Sequence, residues 1–135
     1  MNPEDAHVLV IEDDLNNQQV INDLLQIAGV QHINIQSTGL EGLRTAREQM
    51  PRVDLILLDI QLPVEDGYNV LRRIRGSPRF QRTRVVAVTS NVMPQDEARA
   101  RAVGFDGFIG KPLDFDRFPE QIAALLNGEQ VWMPR

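Results

Sequence analysis

Cysteine is absent from the 135 residues of this chain, which excludes disulfide bonds, thiolate metal sites and a thiol nucleophile. No apolar run approaches the roughly 20 residues of a membrane span. The N-terminus also lacks the basic region followed by an apolar one that is typical of a secretory signal. We therefore expect one domain, no membrane insertion and a cytoplasmic location.

Lysine is nearly absent too, since Lys111 stands alone beside thirteen arginines. Because the chain uses arginine for its other cations, we interpret the single lysine as an ammonium with a specific role. The alternative is an ordinary cation at the end of a strand. The net charge of -5 argues against direct nucleic-acid binding. Six arginines between Arg72 and Arg84 are an exception, which we interpret as a solvated helix face and loop, with a patch for an acidic partner as the alternative.

Short apolar runs alternate with helical patterns along the chain, which predicts an α/β fold with five strands and five helices. The strands are expected around residues 8–11, 33–35, 55–58, 85–88 and 108–110. The helices are expected over residues 15–28, 39–50, 68–75 and 94–103, with a last one from Phe115 that ends before Gly128. Residues 1–128 would form the domain, with the first six residues loose, and residues 129–135 a tail that is either a frayed end or has its aromatic, Trp132, tucked against the last helix.

Four of the apolar runs end in residues that phosphoryl transfer needs. The residues that follow or close these runs are Glu12-Asp13-Asp14, Asp59, Thr89 and Lys111. Because parallel strands open onto one crevice at their carboxyl ends, we expect these side chains to converge. The carboxylates of Glu12, Asp13 and Asp59, at neighbouring strand ends, require a counter-charge. An all-oxygen set of ligands favours Mg²⁺. Asp59 is then the candidate nucleophile, with Thr89 as a hydroxyl donor and Lys111 as a mobile charge.

Taken singly, several of these residues have simpler interpretations. Thr89 alone is a common β-branched strand residue, and Asp14 is an ordinary N-cap before Leu15. Asp54 is expected to be a solvated residue at a strand entry. His7 and His32 lie away from every cluster in the sequence and are expected at the surface.

Taken together and in this order, the motifs resemble the receiver domain of two-component response regulators from Ala6 to Asn127. The segments that carry the resemblance are residues 8–14, residues 54–63 with Asp66-Gly67, Val88-Thr89-Ser90 and Gly110-Lys111-Pro112. The resemblance implies a flavodoxin-like, doubly wound, five-stranded parallel sheet of order 2-1-3-4-5 with five helices.

The resemblance also implies a role for each site residue. Asp59 would accept a phosphoryl group from a histidine kinase or a histidine phosphotransfer protein, with Thr89 and Lys111 binding that group. Phe108 would be the switch aromatic that moves with Thr89. The implied ligands of Mg²⁺, with Mn²⁺ as the alternative ion, are Glu12, Asp13, Asp59 and the backbone carbonyl of Gln61.

The expected function is therefore a phosphorylation-dependent signalling switch that acts on a downstream protein target. It would assist its own phosphorylation and dephosphorylation without turning over an external substrate. A homodimer through the fourth helix, fifth strand and fifth helix is an expected property of the family. We expect a stand-alone receiver, with a receiver module of a hybrid histidine kinase or larger regulator as the alternative. An aspartate-nucleophile phosphohydrolase is a weaker alternative, because such enzymes place an Asp-x-Asp nucleophile on the first strand.

Overall fold

The computed structural model describes residues 1–133 and shows the alternation of strands and helices that the sequence predicts. The strands are β1 (His7–Ile11), β2 (His32–Gln36), β3 (Leu55–Leu58), β4 (Arg84–Thr89), β5 (Gly107–Gly110) and β6 (Val131–Met133). The helices are α1 (Leu15–Ile27), α2 (Gly39–Gln49), α3 (Gly67–Arg75), α4 (Pro94–Val103) and α5 (Phe118–Leu126). Single 3₁₀ turns occupy Pro3–Asp5 and Pro78–Phe80.

All strand pairings described are parallel, in the order β2-β1-β3-β4-β5-β6, so the predicted order 2-1-3-4-5 is confirmed. Alternate residues of β1 enter opposite cores, because successive side chains of a strand point to opposite faces. Leu9 and Ile11 pack with side chains of α2 and α3, whereas Val8 and Val10 pack with those of α1 and α5. The sheet is therefore buried on both faces, as its continuous apolar runs predict.

The sheet has a sixth strand that the sequence pattern did not predict. Val131–Met133 of the expected tail form β6, which pairs with β5, and Trp132 packs partly buried against the core. Trp132 is therefore part of a paired strand and not of a frayed end. The first six residues also differ from a loose end, because Pro3–Asp5 form a 3₁₀ turn and Ala6 is fully buried.

The last helix begins later than the apolar periodicity predicted. Phe115, taken as its first inward residue, lies before α5 and is 64% exposed. The Asp114 carboxylate accepts hydrogen bonds from the backbone N–H groups of Asp116 and Arg117, and so forms a separate turn there. Phe115 is consequently a surface residue beside the carboxyl end of the sheet.

Five of the six arginines of the cluster are exposed, as the interpretation of a solvated helix face and loop expects, but some of their guanidinium groups also bond within the fold. Arg75 donates to the carbonyls of Thr83 and Gly104 and pairs with Asp106 at 2.7 Å. Arg79 donates to the carbonyls of Ala46 and Met50 at the end of α2. These guanidinium groups satisfy backbone acceptors that helix ends and loops leave free.

Across residues 1–133, none of the helices has the length and apolar composition to cross a lipid bilayer.

Candidate functional site

The site lies where β1, β3, β4 and β5 end, at the carboxyl-terminal end of the sheet. Ile11 of β1 is paired with Leu58 of β3, so the residues that follow them, Glu12 and Asp59, leave the sheet side by side. Thr89 closes β4 opposite Gly110 of β5, which immediately precedes Lys111. The register of the sheet therefore brings together residues that are far apart in the sequence, as predicted from the parallel topology.

Three carboxylates form the acidic part of the site. Glu12, Asp13 and Asp59 each offer an oxygen, and these oxygens lie within 4.8 Å of one another. Glu12 and Asp59 are buried at 1% and 5% exposure, whereas Asp13 is exposed. Like charges this close, two of them buried, repel one another unless a cation intervenes. The donor set consists of hard oxygens with one solvent-facing side, which fits Mg²⁺ with retained waters.

Lys111 supplies part of the counter-charge. Its ammonium nitrogen lies 2.5 Å from Glu12 Oε1 and 3.2 Å from Asp59 Oδ2, and its side chain is 10% exposed. Burial by itself would lower the pKa of Lys111, but the hydrogen bond to Glu12 and the charges of Asp59 and Glu12 outweigh burial and raise that pKa above 10.5. The side chain is therefore a charged ammonium at neutral pH, as its rarity in the sequence suggested.

The Asp59 carboxylate is held on both of its oxygens. Oδ2 accepts from Lys111, and Oδ1 accepts from the backbone N–H of Gln61 at 2.9 Å. The backbone behind Asp59 lies against Gly67, the first residue of α3. A Cβ at Gly67 would lie 2.7 Å from the Asp59 carbonyl oxygen and 2.6 Å from Ile60 Cα. Only glycine allows α3 to approach this loop so closely.

Thr89 and Phe108 lie further inside. Thr89 is fully buried, and its Oγ1 accepts a hydrogen bond from the backbone N–H of Asn91 at 3.2 Å. Phe108 is also fully buried and packs in the core on the α3 and α4 side of the sheet. The structure thus brings Thr89 to the edge that carries Asp59, with its hydroxyl engaged by the loop that leads to α4.

Two residues beside the acidic cluster hold its loop in place. Asp14 caps α1 by accepting from the Asn17 N–H, as predicted, and its own N–H donates to Glu12 Oε2 at 3.1 Å. Gln18 donates from Nε2 to the Glu12 carbonyl at 2.6 Å. The sequence motif gave no signal for Gln18, because a polar residue in the second turn of a helix is usually solvated.

The residues that were expected to lie outside the site are at the opposite end of the sheet, where the strands begin. Asp54 is not a solvated strand entry, because it accepts from the His7 N–H at 2.8 Å and pairs with Arg52. The imidazoles of His7 and His32 stack with their centroids 4.3 Å apart. These residues join β1, β2 and β3 and take no part in the acidic site.

A groove of about 190 Å³ runs beside Lys111. It is lined by residues of α1, by Lys111 and by the loop that leads to α5, namely Asn17, Val20, Ile21, Lys111, Pro112, Leu113 and Phe115. Leu15, Val20 and Phe115 are 76%, 37% and 64% exposed. An apolar surface therefore lies beside Lys111.

The chain is similar in sequence to receiver domains over most of its length. The model of the response regulator receiver domain matches residues 8–123. The polar-differentiation response regulator DivK of Brucella ovis is 39% identical over 120 residues, which are 89% of this chain and 95% of that protein. DivK of Brucella anthropi is 38% identical over the same shares of the two chains.

Solved structures show the same likeness. The chemotaxis response regulator CheY4 of Vibrio cholerae aligns with a TM-score of 0.79 and 25% identity over 89% of this chain and 98% of that one. The receiver domain of the sensor histidine kinase PA1611 of Pseudomonas aeruginosa aligns with a TM-score of 0.78 and 30% identity over 92% and 98% of the two chains. That receiver was solved with a magnesium ion coordinated in its active-site cleft.

Proposed function

The chain belongs to the response regulator receiver domain family, and from that premise we propose that Asp59 is the residue through which it takes up a phosphoryl group as a signalling switch. The observation that carries this proposal is the placement of the Asp59 carboxylate, which lies at the edge of the sheet between the Lys111 ammonium and the acidic cluster. A carboxylate fixed in this way can attack phosphorus and form an acyl phosphate.

The transfer forms a bond between an Asp59 carboxylate oxygen and phosphorus, and it breaks the bond from phosphorus to the donor. Bound Mg²⁺, for which Mn²⁺ is the proposed alternative, supplies positive charge to the carboxylates and the phosphoryl oxygens. Glu12, Asp13 and the Gln61 carbonyl would hold the ion with Asp59. Lys111 neutralises charge on the incoming phosphoryl group, and the Gln61 N–H orients the nucleophile.

Switching is proposed to begin at Thr89. Its hydroxyl accepts from the Asn91 N–H and would donate its own hydrogen to an oxygen of the phosphoryl group, a strong acceptor that draws Thr89 toward Asp59. The loop after β4 then shifts α4, whose single buried residue is Ala100. A helix with so little buried area moves at low cost, so α4 is the bistable element and Phe108 is the aromatic that moves with it.

Receiver domains of this family act as signalling switches that interact with histidine kinases or phosphotransfer proteins and with downstream targets. We propose that the protein donor docks on the groove beside Lys111, because the exposed side chains of Val20 and Phe115 line it together with Lys111, whose ammonium contacts Asp59. A cytoplasmic location and a homodimer through α4, β5 and α5 are further proposals. Residues 1–128 are the proposed receiver unit, to which β6 of the segment 129–135 adds an edge strand.

The chain is also proposed to assist its own phosphorylation and dephosphorylation, since the groups that stabilise the phosphoryl group are its own side chains. Peptide mapping after incubation with acetyl phosphate and Mg²⁺ tests the assignment of Asp59. The modified peptide should contain Asp59, and Asp59→Asn should remove the modification. A modification that persists in the Asn variant would reject the proposal.

A further inference from the structure

Gln18 joins two loops of the acidic site. From the second turn of α1, its Nε2 donates to the Glu12 carbonyl at 2.6 Å and reaches Ser37 Oγ, just after β2, at 3.3 Å. The Glu12 N–H donates to the Gln36 carbonyl at 3.0 Å. Both the N–H and the carbonyl of Glu12 are therefore hydrogen-bonded, and the partner of the carbonyl is the amide of Gln18.

This contact matters because the Glu12–Asp14 loop carries two of the three clustered carboxylates. Their mutual repulsion favours a loop that opens, whereas a bound cation requires one in which the oxygens converge. We infer that Gln18 is a positioning residue that keeps this loop in the converged arrangement and so sets the affinity for Mg²⁺. The inference depends on the proposed function, because it concerns the same site.

Gln18→Met tests this role, because methionine has a similar length and no amide donor. Gln19→Met is the matched control, since the Gln19 amide is exposed and donates to Asp23. Loss of a hydrogen bond that orients a metal ligand should raise the Mg²⁺ concentration for half-maximal stabilisation against urea by about 10-fold. The labelling rate with acetyl phosphate at saturating Mg²⁺ and the urea midpoint without Mg²⁺ should match those of Gln19→Met.

Equal half-maximal Mg²⁺ concentrations for the two variants would overturn the role of Gln18. So would a urea midpoint of Gln18→Met that falls equally with and without Mg²⁺, because that result indicates a contribution to the fold alone. If Gln18→Met does not fold, Gln18→Leu also removes the amide donor without adding charge and should show the same loss of Mg²⁺ affinity. A wild-type chain that Mg²⁺ does not stabilise would instead contradict the proposed function.

A second inference has an independent origin in β6. Trp132 of β6 is paired in register with Phe108 of β5, and the guanidinium carbon of Arg101 in α4 lies 4.1 Å from its ring centroid. Gly107 permits the close approach, since a Cβ there would lie 2.7 Å from the Val131 carbonyl oxygen. β6 is therefore held on the edge of β5, with Arg101 of α4 against its Trp132 side chain.

Both neighbours of Trp132 are elements of the proposed switch. α4 follows Thr89 in the chain and has one buried side chain, so a contact made by an arginine of α4 is easily lost when that helix shifts. We propose that β6 is a latch on the edge of β5, and that displacement of α4 takes Arg101 away from Trp132 and loosens the strand. The latch depends on the proposed switching, and it would uncover the β5 edge in the phosphorylated state.

Trp132 is the sole tryptophan of the chain, so its fluorescence reports on β6 directly. Beryllofluoride with Mg²⁺, a mimic of the phosphoryl group, should shift the emission to longer wavelength and increase quenching by acrylamide. Arg101→Gln should show part of this change without beryllofluoride. Arg99→Gln is the matched control, because Arg99 lies on the same helix but stacks on Tyr68, 3.8 Å from its ring centroid.

Identical emission and quenching of Arg101→Gln and Arg99→Gln would overturn the latch. Unchanged Trp132 fluorescence when fluorine NMR shows beryllofluoride bound in the wild type and not in Asp59→Asn would overturn its coupling to the site. If the wild type binds no beryllofluoride, the proposed function fails, while the comparison of the two arginine variants still decides whether Arg101 holds β6.

Discussion

The ammonium of Lys111 lies 3.2 Å from the Oδ2 oxygen of Asp59, and the two residues are 52 positions apart in the chain. Their contact depends on β3, β4 and β5 lying side by side and ending together. It places a fixed positive charge next to the proposed nucleophile while leaving the exposed Asp13 side of the cluster open to solvent. The chemistry of the site is therefore a direct consequence of strand order.

Asp13→Asn should increase the stability of the chain in the absence of divalent ions. The change removes one of three mutually repelling carboxylates, and the expected gain in the free energy of unfolding is about 1 kcal/mol, the size of one partly solvated charge contact. It should also abolish the stabilisation that Mg²⁺ gives the wild type. Urea unfolding with and without Mg²⁺ measures both effects, and a variant that is less stable without the ion would contradict the repulsion argument.

Much of this site could be predicted from the sequence, because parallel strands bring the residues that follow them, here Glu12-Asp13, Asp59 and Lys111, to the same end of the sheet. The strand order that makes them neighbours was implied by the resemblance to receiver domains. β6 could not, because its three residues are too short for a periodic pattern and its docking depends on the missing side chain of Gly107. Phe115 was misplaced because periodicity does not detect the Asp114 turn.

His7→Gln should weaken the decrease in the free energy of unfolding that the wild type shows as the pH falls below neutrality. Burial, followed by the neighbouring charge of His32, lowers the pKa of His7 below 6.5 in the folded chain. The unfolded chain therefore binds a proton more readily, so stability is full above 6.5 and falls as the pH decreases toward the folded pKa. Urea midpoints between about pH 8 and pH 5 measure this slope. Equal slopes for His7→Gln and the wild type would exclude His7 as its source.

Gly67→Ala should damage the fold and the site together. The added Cβ would meet backbone atoms of Asp59 and Ile60, which cannot move aside as a flexible side chain can. The expected loss is about 2 kcal/mol in the free energy of unfolding, with slower labelling of Asp59. Gly76→Ala is the control, because its Cβ would lie 3.4 Å from the Arg72 carbonyl oxygen, an ordinary contact, and should cost at most about 0.5 kcal/mol. Equal stabilities of the two variants would refute the close-approach argument.

Phe115→Ala should slow phosphoryl transfer from a protein donor and leave labelling by acetyl phosphate unchanged. Phe115 lines the groove beside Lys111 but is absent from the acidic cluster, so it would affect docking and not the chemistry. Leu40→Ala removes a similarly exposed apolar side chain from α2, at 62% exposure, and serves as the control. Transfer rates from a purified phosphorylated histidine kinase or phosphotransfer protein provide the measurement. An equal decrease with acetyl phosphate would place the effect of Phe115 in the site itself.

The most direct measurement is the intact mass of the chain after incubation with acetyl phosphate, with and without Mg²⁺. The wild type should gain one phosphoryl group only when Mg²⁺ is present, and Asp59→Asn should gain none. A wild-type mass that stays unchanged with Mg²⁺, or an Asn variant that gains the same group, would contradict the assignment of Asp59 as the phosphoryl acceptor.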